Sequence, residues 1–195
     1  RPVGPNNTVC RYRTTRDVML NPLNISRVTM TTEPDGRSLL RMRFACSTQA
    51  DWSHADLSDL SLYLGADAPV SSQPHLMLTK RQAALYMRLP GQTDRIRLEG
   101  YFSPGGFRDE DCLWPKGDTA FSGYQLLLEY FTFRDKFMFV HLNGLEGITP
   151  PAGAEYFDIE VVFSTPWPSD LPVTDDAVRL HCVPVINLFT LEADP

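Results

Sequence analysis

Hydrophobic and polar residues alternate with a period of two along several stretches of the chain, which is typical of β-strands with one buried face. The stretches 25–32 and 37–46 flank a Glu-Pro-Asp-Gly sequence at 33–36, whose residue types favour a tight turn. Four residues of the second stretch share one face: Leu40, Met42, Phe44 and Cys46. Arg41 and Arg43 point to the other side. The pattern predicts a hairpin in a sheet that is half exposed to water.

A second pair of alternating stretches, 85–89 and 95–102, surrounds a turn at 90–94 and predicts another hairpin. Its inward residues are expected to be Ile96, Leu98 and Phe102. A further strand is predicted over 156–163, with these residues facing inward: Phe157, Ile159, Val161 and Phe163.

Three more strands are indicated by shorter apolar runs, over 61–64, 137–142 and 179–188. The first is ambiguous, because leucines at 57, 60 and 64 also fit a helical period; we favour the strand. Pro184 has no amide hydrogen to donate within a sheet, so it marks an edge or a bulge in the last strand.

Two helices are predicted, over 74–84 with Pro74 as the first residue and over 122–133. Ser122 and Gln125 have the spacing of a capping box at the start of the second helix. This helix is apolar around most of its circumference, with only a narrow polar strip at Gln125, Glu129 and Thr132. Such a helix is expected to be buried on most sides. The predicted fold class is α+β, with mainly antiparallel, sandwich-like sheets and about two helices.

The stretch 103–117 contains three glycines, two prolines and three consecutive acidic residues. It suggests a division into a β-rich part with one short helix (1–102), a connecting loop (103–120) and a part with a helix and antiparallel strands (121–195). These parts form one compact domain or two closely packed subdomains. Long ordered loops often carry function. The candidate interface residues in the loop 105–118 are Phe107, Asp109, Asp111 and Trp114.

Composition narrows the possible functions. The 195 residues are 43% hydrophobic and 22% charged, with a net charge of −6. Nucleic acid is therefore not an expected partner, because binding to phosphates requires a basic surface. No apolar run approaches the roughly 20 residues that cross a bilayer, so direct membrane insertion is not expected either. The first residues do not resemble a secretion signal.

No convincing catalytic, cofactor or metal site emerges from the motifs. The four cysteines form no C-x-x-C pair and the four histidines have no metal-binding spacing, so reduced thiols and structural histidines are expected. Cys112 follows three acidic residues, which disfavour a reactive thiolate. The pair Asp175 and Asp176 is expected to be solvated loop charge. Trp52, Trp114 and Trp167 could form a sugar-stacking platform, although partial burial explains them equally well.

Two motifs resemble a known bacterial family. One is the helical sequence with Gly123, Tyr124, Leu127, Glu129, Tyr130 and Phe131, and the other is the RLHCVPVINLF segment with Arg179, His181, Pro184 and Asn187. Together they are similar to TssF, also called VasA or ImpG, of the type VI secretion baseplate. Members of that family are several times longer, so the chain looks like an internal piece. Arg134-Asp135 departs from the family's usual proline and acidic residue.

The resemblance implies a non-catalytic structural subunit of the baseplate wedge, which surrounds the hub of a phage-tail-like injection machine. It implies that TssG-like, TssK-like and TssE-like proteins and a second copy of the same subunit are partners. It further implies a location in the cytoplasm, at the cytoplasmic face of the bacterial inner membrane. Two alternatives come from other classes: a β-sandwich carbohydrate-binding module that uses exposed tryptophans, and an enzyme that uses Cys112 or a carboxylate pair.

Overall fold

The computed structural model describes residues 2–3, 8–47, 51–65, 68–115, 121–151 and 153–188, with the side chains of 2–3, 8–9 and 68–71 left undescribed. Among these residues antiparallel strands predominate and two α-helices accompany them, so the predicted α+β class is confirmed. The strands are β1 (Pro2–Val3), β2 (Thr8–Val9), β3 (Arg13–Thr14), β4 (Leu23–Thr32), β5 (Ser38–Cys46), β6 (Asp59–Leu64), β7 (Gln82–Arg88), β8 (Ile96–Leu98), β9 (Tyr101–Pro104), β10 (Phe139–Asn143), β11 (Tyr156–Phe163), β12 (Val178–Arg179) and β13 (Val185–Ile186).

A five-stranded sheet in the order β4-β5-β11-β7-β8 forms one layer of the fold. Strands β4 and β5 are the first predicted hairpin. The Glu33 amide donates to the Arg37 carbonyl at 2.7 Å, which closes the turn. Gly36 supplies the left-handed conformation there, with φ of 86°. Strand β11 has the predicted bounds and pairs with β5 on one side and β7 on the other.

The second layer is a four-stranded sheet in the order β12-β6-β10-β9. Strand β10 pairs with both β6 and β9, so it is the interior strand that its apolar sequence predicts. Strand β6 confirms the strand interpretation of the ambiguous leucine-rich stretch. Two further two-stranded pairs are β1 with β2 and β13 with β3.

The second predicted hairpin is only half correct. Strand β8 pairs with β7 as expected, but β9 leaves that sheet and joins β10 in the other one. The change of layer occurs at Gly100, where an added Cβ would lie 2.6 Å from the Asn143 carbonyl oxygen. Leu98 and Phe102 are buried as predicted. Ile96 is exposed, contrary to the prediction, because it begins a short strand at the edge of the sheet.

In the described part of the chain, the α-helices are α1 (Ala68–Lys80) and α2 (Ser122–Thr132), and short 3₁₀ segments cover Trp52–His54, Asp109–Asp111 and Arg134–Met138. The boundaries predicted for the first helix are wrong. Pro74 lies inside α1 and is not its first residue, and the predicted helical end belongs to β7. Pairing of Ala84 with Val162 of β11 overrides the helical preference of that stretch.

The main core contains side chains from both large sheets. At one end, the Phe44 and Phe157 rings stack with centroids 5.2 Å apart, and Trp52 packs on Phe157 at the same distance. Leu62 of β6 and Val140 of β10 contribute from the second sheet and are fully buried. This core fixes the position of β10. The part of the chain that comes directly before β10 carries the candidate site.

The single strand predicted over 179–188 is wrong. The segment instead supplies β12, which pairs with β6, and β13, which pairs with β3. His181 lies between them with φ of 57°, a left-handed conformation that cannot continue an extended strand. Pro184 precedes β13, and its carbonyl accepts a hydrogen bond from the Thr15 amide at 3.1 Å. The division into residues 1–102, 103–120 and 121–195 stays a prediction.

Candidate partner-binding surface

Helix α2 turns its apolar side outward and its polar side inward. Phe131 is 81% exposed, Tyr124 is 75% exposed and Leu127 is 57% exposed, whereas Glu129 is fully buried. A surface helix of a globular domain normally has the opposite orientation. The expectation that this helix is buried on most sides is therefore wrong for the described part of the chain.

Glu129 explains why the polar side faces inward. Its carboxylate accepts hydrogen bonds from the Leu113 amide at 3.0 Å and from the Gln125 side chain at 3.1 Å. It also forms an ion pair with the ammonium group of Lys136, and both side chains are almost completely buried. A buried charge is tolerated only when it is paired and hydrogen-bonded, and Glu129 meets both conditions.

Gln125 connects the helix to the preceding loop. Its side-chain amide donates to the Trp114 carbonyl at 3.0 Å, in addition to its bond to Glu129. The predicted capping box is absent, because Phe121 occupies the N-cap position and makes no side-chain cap. The Gln125 side chain thus fixes the loop against the helix and does not cap the helix itself.

Aromatic contacts join the loop and the helix into one surface. The buried Phe137 ring lies 5.1 Å from the Phe107 ring and 5.7 Å from the Tyr130 ring, between centroids. Tyr130 in turn meets Phe131 edge-on at 5.6 Å. We call the exposed side chains of this region the α2 surface; its members are Phe107, Phe121, Tyr124, Leu127, Leu128, Tyr130 and Phe131.

Asp111 holds the loop in place from inside. It is buried and forms ion pairs with Arg16 and, at 3.6 Å, with Arg108. It also accepts hydrogen bonds from the amides of Gly106 and Arg108, each at 3.1 Å. Burial raises the pKa of Asp111, but the Arg108 amide and the Arg16 guanidinium outweigh it, so the pKa lies below its usual value.

The four candidate interface residues of the loop therefore have different environments. Phe107 and Asp109 are exposed, and Trp114 is half-buried with its carbonyl bound to Gln125. Asp111 cannot meet a partner directly, because its side chain has no accessible surface. Sequence reasoning missed its partner Arg16, which is 95 positions away along the chain, and also missed Phe137 as the centre of the aromatic contacts.

The residues of the helical motif all lie on α2, and Gly123 lies against the exposed ring of Phe121. A Cβ at that position would lie 2.6 Å from the Phe121 ring. The residues of the second motif lie elsewhere. Arg179 binds Asp176 at 3.1 Å, Pro184 is buried, and His181 and Asn187 are exposed. The structure therefore does not bring the two motifs together in one polar site.

A cavity of about 530 Å³ lies beside His141. The His141 Nδ1 atom is 2.8 Å from an Asp59 oxygen, and the Arg108 guanidinium is 3.0 Å from Nε2. A guanidinium only donates, so Nε2 accepts and the proton is on Nδ1, donated to Asp59. Cys182 lines the same cavity, and burial raises the pKa of its thiol. This arrangement provides neither a free base nor an activated nucleophile.

Two of the three tryptophans are engaged inside the fold. The Trp52 indole is buried and donates to the Ala154 carbonyl at 2.7 Å, and Trp167 packs on Phe163 and donates to the Leu171 carbonyl. They do not form the exposed platform that the carbohydrate-binding alternative requires.

Among the described residues, no three His, Cys, Asp or Glu side chains are placed to hold a metal ion. Within the same residues, no helix is long and apolar enough to cross a membrane.

Comparisons with known proteins agree on one family. A family model described as "Type VI secretion system, TssF" matches residues 1–195. The type VI secretion system component TssF1 of Pseudomonas aeruginosa is 32% identical over 212 residues, which cover 98% of this chain and 33% of that protein.

A chain in the cryo-electron microscopy structure of the TssK-TssF-TssG baseplate subcomplex is 74% identical, with a TM-score of 0.92. The match covers 100% of this chain and 37% of that one, so the chain spans about a third of the length of these relatives. Since the family model matches the whole chain, the chain belongs to the TssF family of the type VI secretion system.

Proposed function

We propose that this chain is a non-catalytic structural part of a type VI secretion baseplate subunit and that it acts by binding neighbouring subunits. The observation that carries this proposal is the α2 surface. Its apolar side chains are contiguous and exposed, and monomeric soluble proteins rarely leave patches of this kind uncovered. Burial of one such side chain contributes roughly 1.5–3 kcal/mol, so a subunit that covers several of them gains substantial binding energy.

The proposed neighbour on the α2 surface is a TssG-like protein. The likeness to a chain in a TssK-TssF-TssG subcomplex supports a TssG-like protein and a TssK-like protein as neighbours. The proposal extends to a TssE-like protein and to a second copy of the subunit within one wedge. Assembly takes place in the cytoplasm, at the cytoplasmic face of the inner membrane.

The loop contributes to the same proposed interface through Phe107. Its ring packs on Phe137 beside Tyr130, so a partner that covers α2 also reaches the loop. Asp109 is exposed on the same loop. Interfaces commonly have an apolar, aromatic centre and a polar rim, and we assign Asp109 to the rim of the proposed interface.

A pair of double variants of the full-length protein tests the proposal. Leu127→Ser with Phe131→Ser removes apolar area from the α2 surface. Met19→Ser with Leu20→Ser removes comparable exposed apolar area elsewhere and is the control. Each protein is co-expressed with its TssG-like and TssK-like partners, and the mass of the purified complex is measured.

The α2 double variant is expected to lose at least about 2 kcal/mol of binding free energy, because large apolar residues near an interface centre dominate binding. The control is expected to keep the complex, with two copies of the subunit bound to one TssG-like protein. Retention of the complex by the α2 variant, with both variants folded, would contradict the proposed interface.

A further inference from the structure

The outer side of the five-stranded sheet carries a second surface, separate from α2. We call it the arginine face; its members are Arg27, Arg41, Arg43, Arg88 and Arg95. Three carboxylates lie among them, Glu33, Asp158 and Glu160. Positive charge therefore exceeds negative charge on this face, although the whole chain has a net charge of −6.

The carboxylates of this face are already bound. Glu160 is fully buried and accepts from Arg41 at 2.9 Å and from Arg88 at 2.8 Å. Asp158 is buried and bound by Arg43 through two hydrogen bonds, at 2.8 and 3.0 Å. Asp158 is therefore paired with Arg43, and Glu160 with Arg41 and Arg88, and no ion pair joins either carboxylate to Arg27 among the described residues.

Arg27 is a member of the face whose charge is not compensated by another described residue. It is exposed, and no hydrogen bond or ion pair to another described residue is found for its guanidinium. Its cross-strand neighbour is Arg43. Like charges directly opposite each other in an antiparallel pair are destabilising; Asp158 reduces this repulsion by pairing with Arg43, whereas no such counter-charge is found for Arg27 among the described residues.

A β-bulge creates this unfavourable pair. The register of β4 and β5 shifts between Ile25 and Arg27, so Ser26 has no partner in β5. Without the extra residue, Ser26 would face Arg43. Bulges re-aim side chains, and here the bulge directs Arg27 to the outer side of the sheet.

The side chains around Arg27 form a groove of about 220 Å³. Its lining combines the guanidinium groups of Arg27, Arg41 and Arg43 with Thr29, Thr31 and the occupied carboxylate of Asp158. Guanidinium groups and threonine hydroxyls both donate hydrogen bonds, so the groove has a surplus of donors for an anion. A carboxylate bound between Arg27 and Arg43 would remove the repulsion between them.

We propose that the arginine face binds an acidic segment of a protein partner, with an Asp or Glu carboxylate seated between Arg27 and Arg43. A protein segment fits better than a nucleic acid or an anionic membrane, because a polyanion of large extent is repelled by the chain's overall negative charge. A short acidic segment contacts only the locally positive groove.

Binding of a fluorescent hexaglutamate peptide to the full-length protein, measured by anisotropy in low salt, tests the proposal. Arg27→Gln removes the unbalanced guanidinium without breaking an ion pair between described residues. Arg11→Gln, at another exposed arginine, makes the same change in net charge and is the control. Arg27→Gln is expected to weaken binding about tenfold, since a charge-assisted hydrogen bond contributes on that order. Arg11→Gln is expected to leave it unchanged.

Equal weakening by the two variants would show an effect of net charge alone and would overturn the proposal, as would no binding of the peptide. Duplex DNA and vesicles containing phosphatidylglycerol are tested in parallel. If either binds through Arg27 more tightly than the peptide, the partner is not an acidic protein segment.

A thermal melt provides a second readout. Arg27→Gln is expected to raise Tm slightly because the like-charge pair is removed, and a lowered Tm would contradict the assigned role of this pair.

Discussion

Glu129 of α2 and Lys136 of the following 3₁₀ segment form an ion pair in which both side chains are almost completely buried. The pair lies beneath the helix whose apolar side is exposed. It anchors the polar side of α2 inward and leaves Tyr124, Leu127 and Phe131 outside. The exposed surface thus depends on a buried electrostatic contact.

Lys136→Met is expected to destabilise the chain by about 3–5 kcal/mol, because it leaves the Glu129 charge buried without an opposite charge. Chemical denaturation measures the change in the free energy of unfolding. The double variant Glu129→Gln with Lys136→Met is the control, because it removes both charges and should recover much of the loss. A loss below about 1 kcal/mol in the single variant would show that the pair is not buried as described.

Stability is expected to fall as the pH decreases through the acidic range, because Glu160 becomes protonated. Burial raises the pKa of Glu160, but Arg88 and Arg41 outweigh it, so the pKa lies below its ordinary value of 4.5. A carboxylate with a lowered pKa stabilises the fold fully above 4.5, and that stabilisation is lost as the pH falls through the lowered pKa.

Thermal melts between neutral and acidic pH measure this dependence. Glu160→Gln should flatten the decrease in Tm across the acidic range, whereas Glu146→Gln, at an exposed glutamate, should not. A wild-type Tm that stays constant down to the lowest pH would contradict the linkage. So would an unchanged slope in Glu160→Gln.

Gly106→Ala is expected to destabilise the loop strongly. Gly106 has φ of 87°, and an added Cβ would lie 2.5 Å from the Lys136 carbonyl oxygen. The left-handed conformation alone costs about 1–2 kcal/mol for an alanine. The clash adds roughly 1–3 kcal/mol, as overpacking does elsewhere.

Gly147→Ala separates these two effects. Gly147 also has a positive φ, of 74°, but no atom lies within 4 Å of its added Cβ. Chemical denaturation of both variants should show a clearly larger loss for Gly106→Ala. Equal losses would mean that the loop does not approach Lys136 as closely as described.

Local sequence patterns predicted the elements that depend on local chemistry. The prediction of the turn ending at Gly36 agrees with the structure because its residue types favour a tight turn. The prediction of β11 agrees because the alternation of apolar and polar residues is uninterrupted there. The change of sheet at Gly100 was not predictable in the same way. It depends on the close approach of Asn143, a residue distant in sequence.

The sequence predicts which residues form the apolar and polar sides of α2, but not how the helix is oriented against the rest of the chain. Periodicity identified the apolar and polar sides of α2, but not which side faces the rest of the chain. That choice depends on Leu113 and Lys136, which satisfy the Glu129 carboxylate. Asp111 illustrates the same limit. A run of three acids in a loop suggests solvent exposure, but the distant Arg16, together with the amides of Gly106 and Arg108, compensates the burial of its last member.

Hydroxyl-radical footprinting of the full-length protein, alone and bound to its TssG-like partner, measures whether this partner covers the α2 surface. Oxidation of Tyr124 and Phe131 is expected to be strong in the protein alone and to fall severalfold in the complex. Tyr12, which is exposed outside this surface, serves as the internal control. Unchanged oxidation on complex formation, or protection already present in the protein alone, would contradict the claim that this partner covers α2.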